Sequence, residues 1–246
     1  MKRNEAIKFV ILRTIGNFLV LFSLFGVLAT FGPALYFEAQ YQLIKIRGIN
    51  FKVATDKDIQ RKQGFADITK LNDLKSGNIR SGGPGFGELL AGSTEQILVP
   101  SDTQFSITIP KIGASAKVYP NVDPANSSDF LPILQKGIAH AKGSVFPGFS
   151  GNVYLFAHST DAWWNVGRYN AVFYLLKNLE PGDPITVFFE NRRFDYVVSK
   201  IVIVDPEDTS LIAGKQAGKQ QLVLQTCWPP GTTWKRLDVI AVPKSK

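Results

Sequence analysis

Hydrophobic and polar positions divide the chain into three textures. From Ile15 to Phe37 no residue is charged, and the stretch "FLVLFSLFGVLATFGPALYF" is overwhelmingly apolar. A helix of about 20 such residues is long enough to cross a bilayer. A cleaved signal peptide has a shorter apolar core and an A-x-A-like exit. No such exit follows here, so the pattern predicts an uncleaved transmembrane anchor over residues 15–37. Lys2, Arg3, Lys8 and Arg13 precede it. The positive-inside rule then places residues 1–14 in the cytoplasm and the remainder outside the plasma membrane, although Lys45 and Arg47 beyond the span soften the asymmetry. Residues 38–97 are polar and charged ("ATDKDIQRKQ"), then glycine-rich ("KSGNIRSGGPGFGELLAGSTEQ"). They predict a membrane-proximal segment and flexible linker, because the second part buries little. "YQLIKIRGINFKV" either extends the anchor helix or packs locally.

Over residues 98–246 the period shortens. "FSITIP", "KVYP", "GNVYLFAH", "ITVFFEN", "RRFDYVVSKIVIV", "QLVLQTC" and "RLDVIAV" are Val/Ile/Phe/Tyr-rich runs between Gly, Pro, Asn and Asp, and each predicts a strand. "FEN" followed by "RRF" predicts a hairpin. Two helical pieces interrupt, "DFLPILQKG" and "NAVFYLLKNLEPGD", the second with apolar residues at three and four spacing before a glycine stop. The fold class that follows is mostly β: a closed or nearly closed β-barrel with a few short helices, preceded by one N-terminal transmembrane helix.

Composition narrows the function classes. The net charge is +8, which suits an anionic surface or cell wall as well as nucleic acid. No Lys/Arg-rich run or nucleic-acid motif supports the latter. A single cysteine excludes an intrachain disulfide and any CxxC metal site. With two histidines in the whole chain, no metal site and no cofactor are expected, and "SGGPGFGELL" lacks the Lys-Ser/Thr of a phosphate loop. "DPED" at Asp205–Asp208 resembles a calcium-friendly cluster, but reads more simply as a loop.

Three residues at strand ends carry candidate chemistry. His158 closes "NVYLFAH", Cys227 closes "LVLQTC" and Arg236 opens "RLDVIAV". A barrel can bring strand ends to one rim. A thiolate attacks, a histidine exchanges the proton with a leaving amine, and an arginine stabilises an oxyanion. Each residue alone has a plain structural reading: buried filler for the cysteine, a strand-end contact for the histidine, a solvated cap for the arginine.

"LVLQTCWPPGTTWKRLDVIA" resembles the signature of the sortases, with Cys227 and Arg236 nine residues apart. "KGIAHAKGSVFPGFSGNVYLFAHS", "NAVFYLLKNLEPGDPITV" and "YVVSKIVIVDPEDTSLI" resemble further blocks of that family in the right order, over about residues 104–243. The resemblance implies Cys227 as nucleophile, His158 as acid/base and Arg236 as oxyanion-stabilising residue. It implies Thr226 beside the oxyanion site and His140 in a supporting role. Ala157 stands where the family often has glycine, and Val223-Leu224 where it often has Thr-Leu. Its implied function is a cysteine transpeptidase that cleaves an LPxTG-like C-terminal sorting signal through a thioester. The acyl group passes to an amine of a peptidoglycan precursor or pilin lysine. Expected partners are secreted proteins bearing such a signal, the amine acceptor and the plasma membrane. Trp163 and Trp164 either line the substrate groove or cap the barrel; Asp161 either orients His158 or caps a helix. The rival classes are an inactive sortase-fold peptide-binding module and another cell-wall cysteine peptidase. Papain-like order, with cysteine first, does not fit; nor does a His-Gly-Cys block occur.

Overall fold

The apolar N-terminal run folds as one helix, α1 (Arg3–Arg47), in the computed structural model, which describes residues 3–54, 87, 90, 94–159, 173–213 and 219–245. Phe9, Leu12, Phe18, Leu21 and Phe25 of its first half are all exposed. A helix apolar all round and unburied calls for a non-aqueous surrounding. Its window Ile7–Leu28 is 22 residues long, and by length and composition can cross a membrane. This stretch starts ahead of the uncharged run and takes in Lys8 and Arg13, whose long stems let a charge near the end of a span reach the interface.

The helix does not stop at Phe37. It continues to Arg47 because its apolar residues keep helical spacing and no glycine intervenes before Gly48. Gly48 takes φ +60 and ends the helix: its N–H donates to Lys45 O (3.2 Å) and that of Ile49 to Ile44 O (3.0 Å). That pairing is the Schellman arrangement, in which the residue after the glycine packs on the last helical turn. Ile44 and Ile49 do so, in a small cluster with Phe51 and Leu98. Strand β1 (Asn50–Val53) then pairs in parallel with β2 (Glu95–Leu98). Phe51 lies against Gly113, where a Cβ would come within 3.0 Å of its ring. Most of the glycine-rich stretch lies outside the described residues.

The second half of α1 is therefore docked on the barrel. Ala34, Phe37 and Tyr41, on one face of α1, pack against the main core cluster. Phe37 and Tyr174 have ring centroids 6.2 Å apart, and Glu38 pairs with Lys177 at 3.0 Å. The hydrogen bond from Lys177 holds the Glu38 carboxyl below its usual range. Replacing Phe37 with alanine in the full chain is expected to cost about 1–2 kcal/mol, from the apolar area it covers. Thermal unfolding in detergent checks this: an unchanged midpoint would mean that the helix does not support the barrel.

Eight strands close the barrel in the order β10-β8-β7-β3-β4-β5-β6-β9. They are β3 (Phe105–Ile109), β4 (Ala114–Val122), β5 (Ile138–Ala141), β6 (Gly151–Phe156), β7 (Pro184–Phe189), β8 (Arg192–Val204), β9 (Gln220–Trp228) and β10 (Lys235–Pro243). All neighbours are antiparallel except β4–β5 and β6–β9, which are parallel. The hairpin read from "FEN–RRF" is present: Phe189 faces Arg192, and Glu190 and Asn191 have φ of 48 and 59, as a two-residue type I′ turn requires. Strand β5 was not among the expected strands, since "IAHA" carries little β propensity and no alternation.

Of the expected helices, "DFLPILQKG" forms α2 (Ser127–Leu134), capped by Asn126, whose side chain accepts from Ser128 N. The second is corrected. Its described part is only a 3₁₀ turn, Tyr174–Asn178, and Leu179 is already extended. Glu180 precedes Pro181, which disfavours helix there, and its N–H donates to Asp183 Oδ2 (2.7 Å) to form the turn instead. A short α3 (Ser210–Ala213) follows β8. Helix α2 covers the outer face of the barrel over Val122, Ala139 and Phe156. Helix α3 covers it over Tyr154, Val223 and Ile240.

Candidate functional site

Two strand registers set the candidate residues side by side. In β9–β10, Cys227 lies directly opposite Arg236. In the parallel β6–β9 ladder, Phe156 lies opposite Gln225; two residues further along both strands come His158 and Cys227. The ladder is prolonged to that point by a bond from Ala157 N to Gln225 O (3.2 Å). Cys227 on β9, Arg236 on β10 and His158 just past the end of β6 thus stand at one level on three adjacent segments.

Alternation assigns their face. Val153, Leu155 and Ala157 of β6, Leu222 and Leu224 of β9, and Leu237, Val239 and Ala241 of β10 fill the barrel. Tyr154, Val223 and Ile240 form an outer cluster. Since side chains alternate along a strand, His158, Cys227 and Arg236 share the outer face, and all three are half-buried. Arg236 Nη1 donates to Thr233 O and to Lys235 O, both at 3.1 Å. The β9–β10 loop therefore holds one end of the guanidinium. The chemistry open to this trio is attack by a thiolate, proton exchange by an imidazole and stabilisation of a developing negative charge by a planar cation.

The supporting residues fall elsewhere. Thr226 points into the barrel and is buried, and its hydroxyl donates to Ala157 O at 3.1 Å. It clamps the residue before Cys227 to the residue before His158. His140 is fully buried inside the barrel, on the opposite face of the sheet from the trio. Its ring stacks on Phe146 at 4.5 Å. Nδ1 accepts from Asn121 N (3.3 Å) and Nε2 lies 3.0 Å from Val145 O, which assigns the proton to Nε2. Burial lowers its pKa, against the Val145 bond, which raises it. His140 thus pins the β5–β6 connection. Asp161, Trp163 and Trp164 lie outside the described residues. Of the "DPED" carboxylates, Asp205 pairs with Lys235 and Asp208 accepts from Ser210 N at 3.0 Å. Among the described residues no group of His, Cys, Asp and Glu is arranged to hold a metal.

The structure adds residues that sequence reasoning passed over. Asp238 is 1% exposed, on the outer face two residues from Arg236 and opposite Gln225. Burial pushes its carboxyl up to about 6, the Asp208 charge adding to this while Gln225 and Arg236 oppose it. Asp238 Oδ1 and Tyr154 Oη are both buried without a hydrogen-bond partner among the described residues. An acid inside the apolar strand "RLDVIAV" was the available signal.

This burial makes stability pH-dependent. Below about pH 4 Asp238 is protonated folded and unfolded and costs nothing. As pH rises towards 6 the unfolded chain ionises first, so stability falls, and above about 6 the loss is complete. A gap of about two in pKa corresponds to about 3 kcal/mol. Asp238→Asn is therefore expected to gain stability on the wild type by up to about 3 kcal/mol between pH 4 and pH 8. Denaturant unfolding at the two pH values measures it, and parallel behaviour of both proteins would refute the assignment.

Comparisons with known proteins agree in direction. The sortase domain family model matches residues 107–244. Sortase D of Bacillus subtilis (strain 168) is 33% identical over 123 residues, 50% of this chain and 53% of that protein. The chain thus spans about half the length of this curated relative. Among solved structures, sortase C-1 from Actinomyces oris is similar with a TM-score of 0.50 at 24% identity, covering 76% of this chain and 99% of that one; this likeness concerns the fold. Sortase A from Corynebacterium diphtheriae is 30% identical with a TM-score of 0.49, covering 59% of this chain and 62% of that one.

Proposed function

This chain belongs to the sortase family, and on that premise we propose that it is a membrane-anchored cysteine transpeptidase with Cys227, His158 and Arg236 as its working residues. The observation that carries the reading is the common level of the three on the outer face of β6, β9 and β10.

In the reaction, the Cys227 thiolate attacks the carbonyl carbon of the threonine in an LPxTG-like C-terminal sorting signal. The carbonyl oxygen becomes an oxyanion, which the Arg236 guanidinium stabilises. As the tetrahedral intermediate collapses, the C–N bond to the following glycine breaks. Protonated His158 gives its proton to the departing amine. The resulting Cys227 thioester is opened by an amine of a peptidoglycan precursor or a pilin lysine, and His158 takes the proton that this amine loses. The Thr226–Ala157 clamp keeps the strand ends carrying nucleophile and acid together. Residues 1–14 lie in the cytoplasm, the apolar part of α1 spans the plasma membrane and the barrel works outside. Arg3, Lys8 and Arg13 near the start of α1 support this orientation, tempered by Lys45 and Arg47 in its last turn, and its second half is fixed to the barrel.

The test uses the full chain in detergent micelles with a panel of LPxTG-like peptides, read by intact mass. A covalent acyl adduct on Cys227 with one peptide, absent in His158→Ala, is the expected result. A folded protein that gives no adduct with any peptide, and whose Cys227 resists a thiol reagent, would instead be a peptide-binding module.

A further inference from the structure

Below the level of His158, Cys227 and Arg236 the outer face carries a second polar layer. Its members are Gln225 on β9 and Asp238 on β10, opposite one another, with the Tyr154 side chain reaching in from β6. A buried carboxylate without a partner for one oxygen is expensive to keep. Apolar residues surround it in the strand, and a leucine or valine would remove the cost. Features that lower stability and persist beside a reactive site belong to its function more often than to its fold.

We propose that Asp238 is a positioning residue: its buried carboxylate, next below Arg236 on the same face of β10, is the anionic seat that fixes the guanidinium beside Cys227. This rests on the reading of Arg236 as the oxyanion-stabilising group. Residues two apart along a strand are about 7 Å apart, a span that an arginine side chain covers. The structure accounts for Nη1, which the carbonyls of Thr233 and Lys235 hold. The loop thus fixes the guanidinium from one side and Asp238 attracts it from the other. The two are not within ion-pair distance in this structure, so the carboxylate acts through its charge, favouring orientations of the fork that face it.

The neighbours of Asp238 favour this role. From β6, Tyr154 faces it, a phenol kept protonated by burial and by the Asp238 charge. From β9 come Gln225 and, one level higher, Cys227; His158 lies on that same upper level. β8 faces it with Val202. From the loop before α3, Asp208 adds a second negative charge. Lys235 and Asp205 pair with each other. Arg236 is therefore the cation that acts on this carboxylate. Above pH about 6 Asp238 is ionised and holds Arg236; below it the carboxyl is neutral and the guanidinium is tethered from the loop alone. Activity then falls as pH drops through that range.

The experiment compares wild type, Asp238→Asn and Asp238→Glu as full chains in detergent. The first readout follows the Nε–H signal of Arg236 by NMR with ¹⁵N-arginine, assigned with Arg236→Lys. In the wild type the signal is expected to move with a midpoint near 6, and in Asp238→Asn to stay still. The second readout is the rate of acyl-adduct formation on Cys227. Asp238→Asn is expected to lose about tenfold in kcat at neutral pH with KM nearly unchanged. It also loses the acid limb, and Asp238→Glu restores part of both. A wild-type Arg236 signal that ignores pH in this range overturns the proposal, whether or not the variants fold. So do variant profiles that superimpose on the wild type. A signal that titrates in a protein giving no adduct with any peptide supports the Asp238–Arg236 coupling and sinks the acyl-transfer reading instead.

Discussion

Cys227→Ala is expected to abolish acyl transfer, by roughly 10⁴-fold or more, in a protein that still folds. On the proposed mechanism the acyl group rides on the thiol of Cys227, and the chain holds no second cysteine to take its place. No general base or cation replaces a missing nucleophile, so the loss is complete rather than graded. The fold survives because Cys227 is half-buried at the end of β9, outside the packed interior that Leu222 and Leu224 fill. Removing one sulfur there costs far less than creating a core cavity. The measurement pairs intact mass and transfer-product yield with the thermal midpoint. A variant that keeps its midpoint and still turns over peptide would remove Cys227 from the mechanism.

Arg236→Lys is expected to lower the rate of adduct formation by about 10²-fold or more while keeping the charge. The guanidinium already spends one nitrogen on Thr233 O and Lys235 O. Its remaining donors, set in the same plane, are what an oxyanion beside Cys227 would meet. A lysine ammonium is a compact point charge on a flexible stem. It cannot hold two loop carbonyls and present a fixed donor to a third acceptor. Steady-state kinetics should show the loss mostly in kcat, because the carbonyl oxygen bears full charge only after attack. Near-normal kcat would leave Arg236 as a loop tether.

Much of the architecture was legible before any coordinates. Short β-branched runs between turn residues declared the barrel strands, and Glu190-Asn191 marked a hairpin. The N-terminal apolar helix was visible from its long uncharged run. The parts that were not legible share a cause. Strand β5 is only four residues, one isoleucine among two alanines and a histidine, and becomes a strand because β4 and β6 offer edges on either side. The stretch around Tyr174 has helical periodicity, yet folds as a 3₁₀ turn because the Glu180–Asp183 turn follows at once. For "YQLIKIRGINFKV" the choice between helix extension and local packing stayed open, since what Phe37 and Tyr41 pack against lies far along the chain, Tyr174 more than 130 residues beyond Phe37.

The sequence by itself determined which residues could react and in what order they occur. One thiol, two imidazoles and an arginine before an apolar strand leave few chemistries open, and composition is independent of conformation. Only the tertiary structure decided which of the two histidines shares a face with the thiol. His140 and His158 both sit on or beside strands in apolar company, and side-chain parity relative to a closed barrel sends one inside and the other out. Parity cannot be read until the register of β6 against β9 is known. The same holds for Asp238: in sequence it is one acid two residues past an arginine, and its burial, its one unpartnered oxygen and its place on the face below Arg236 exist only because β8, β9 and β10 pair in this register.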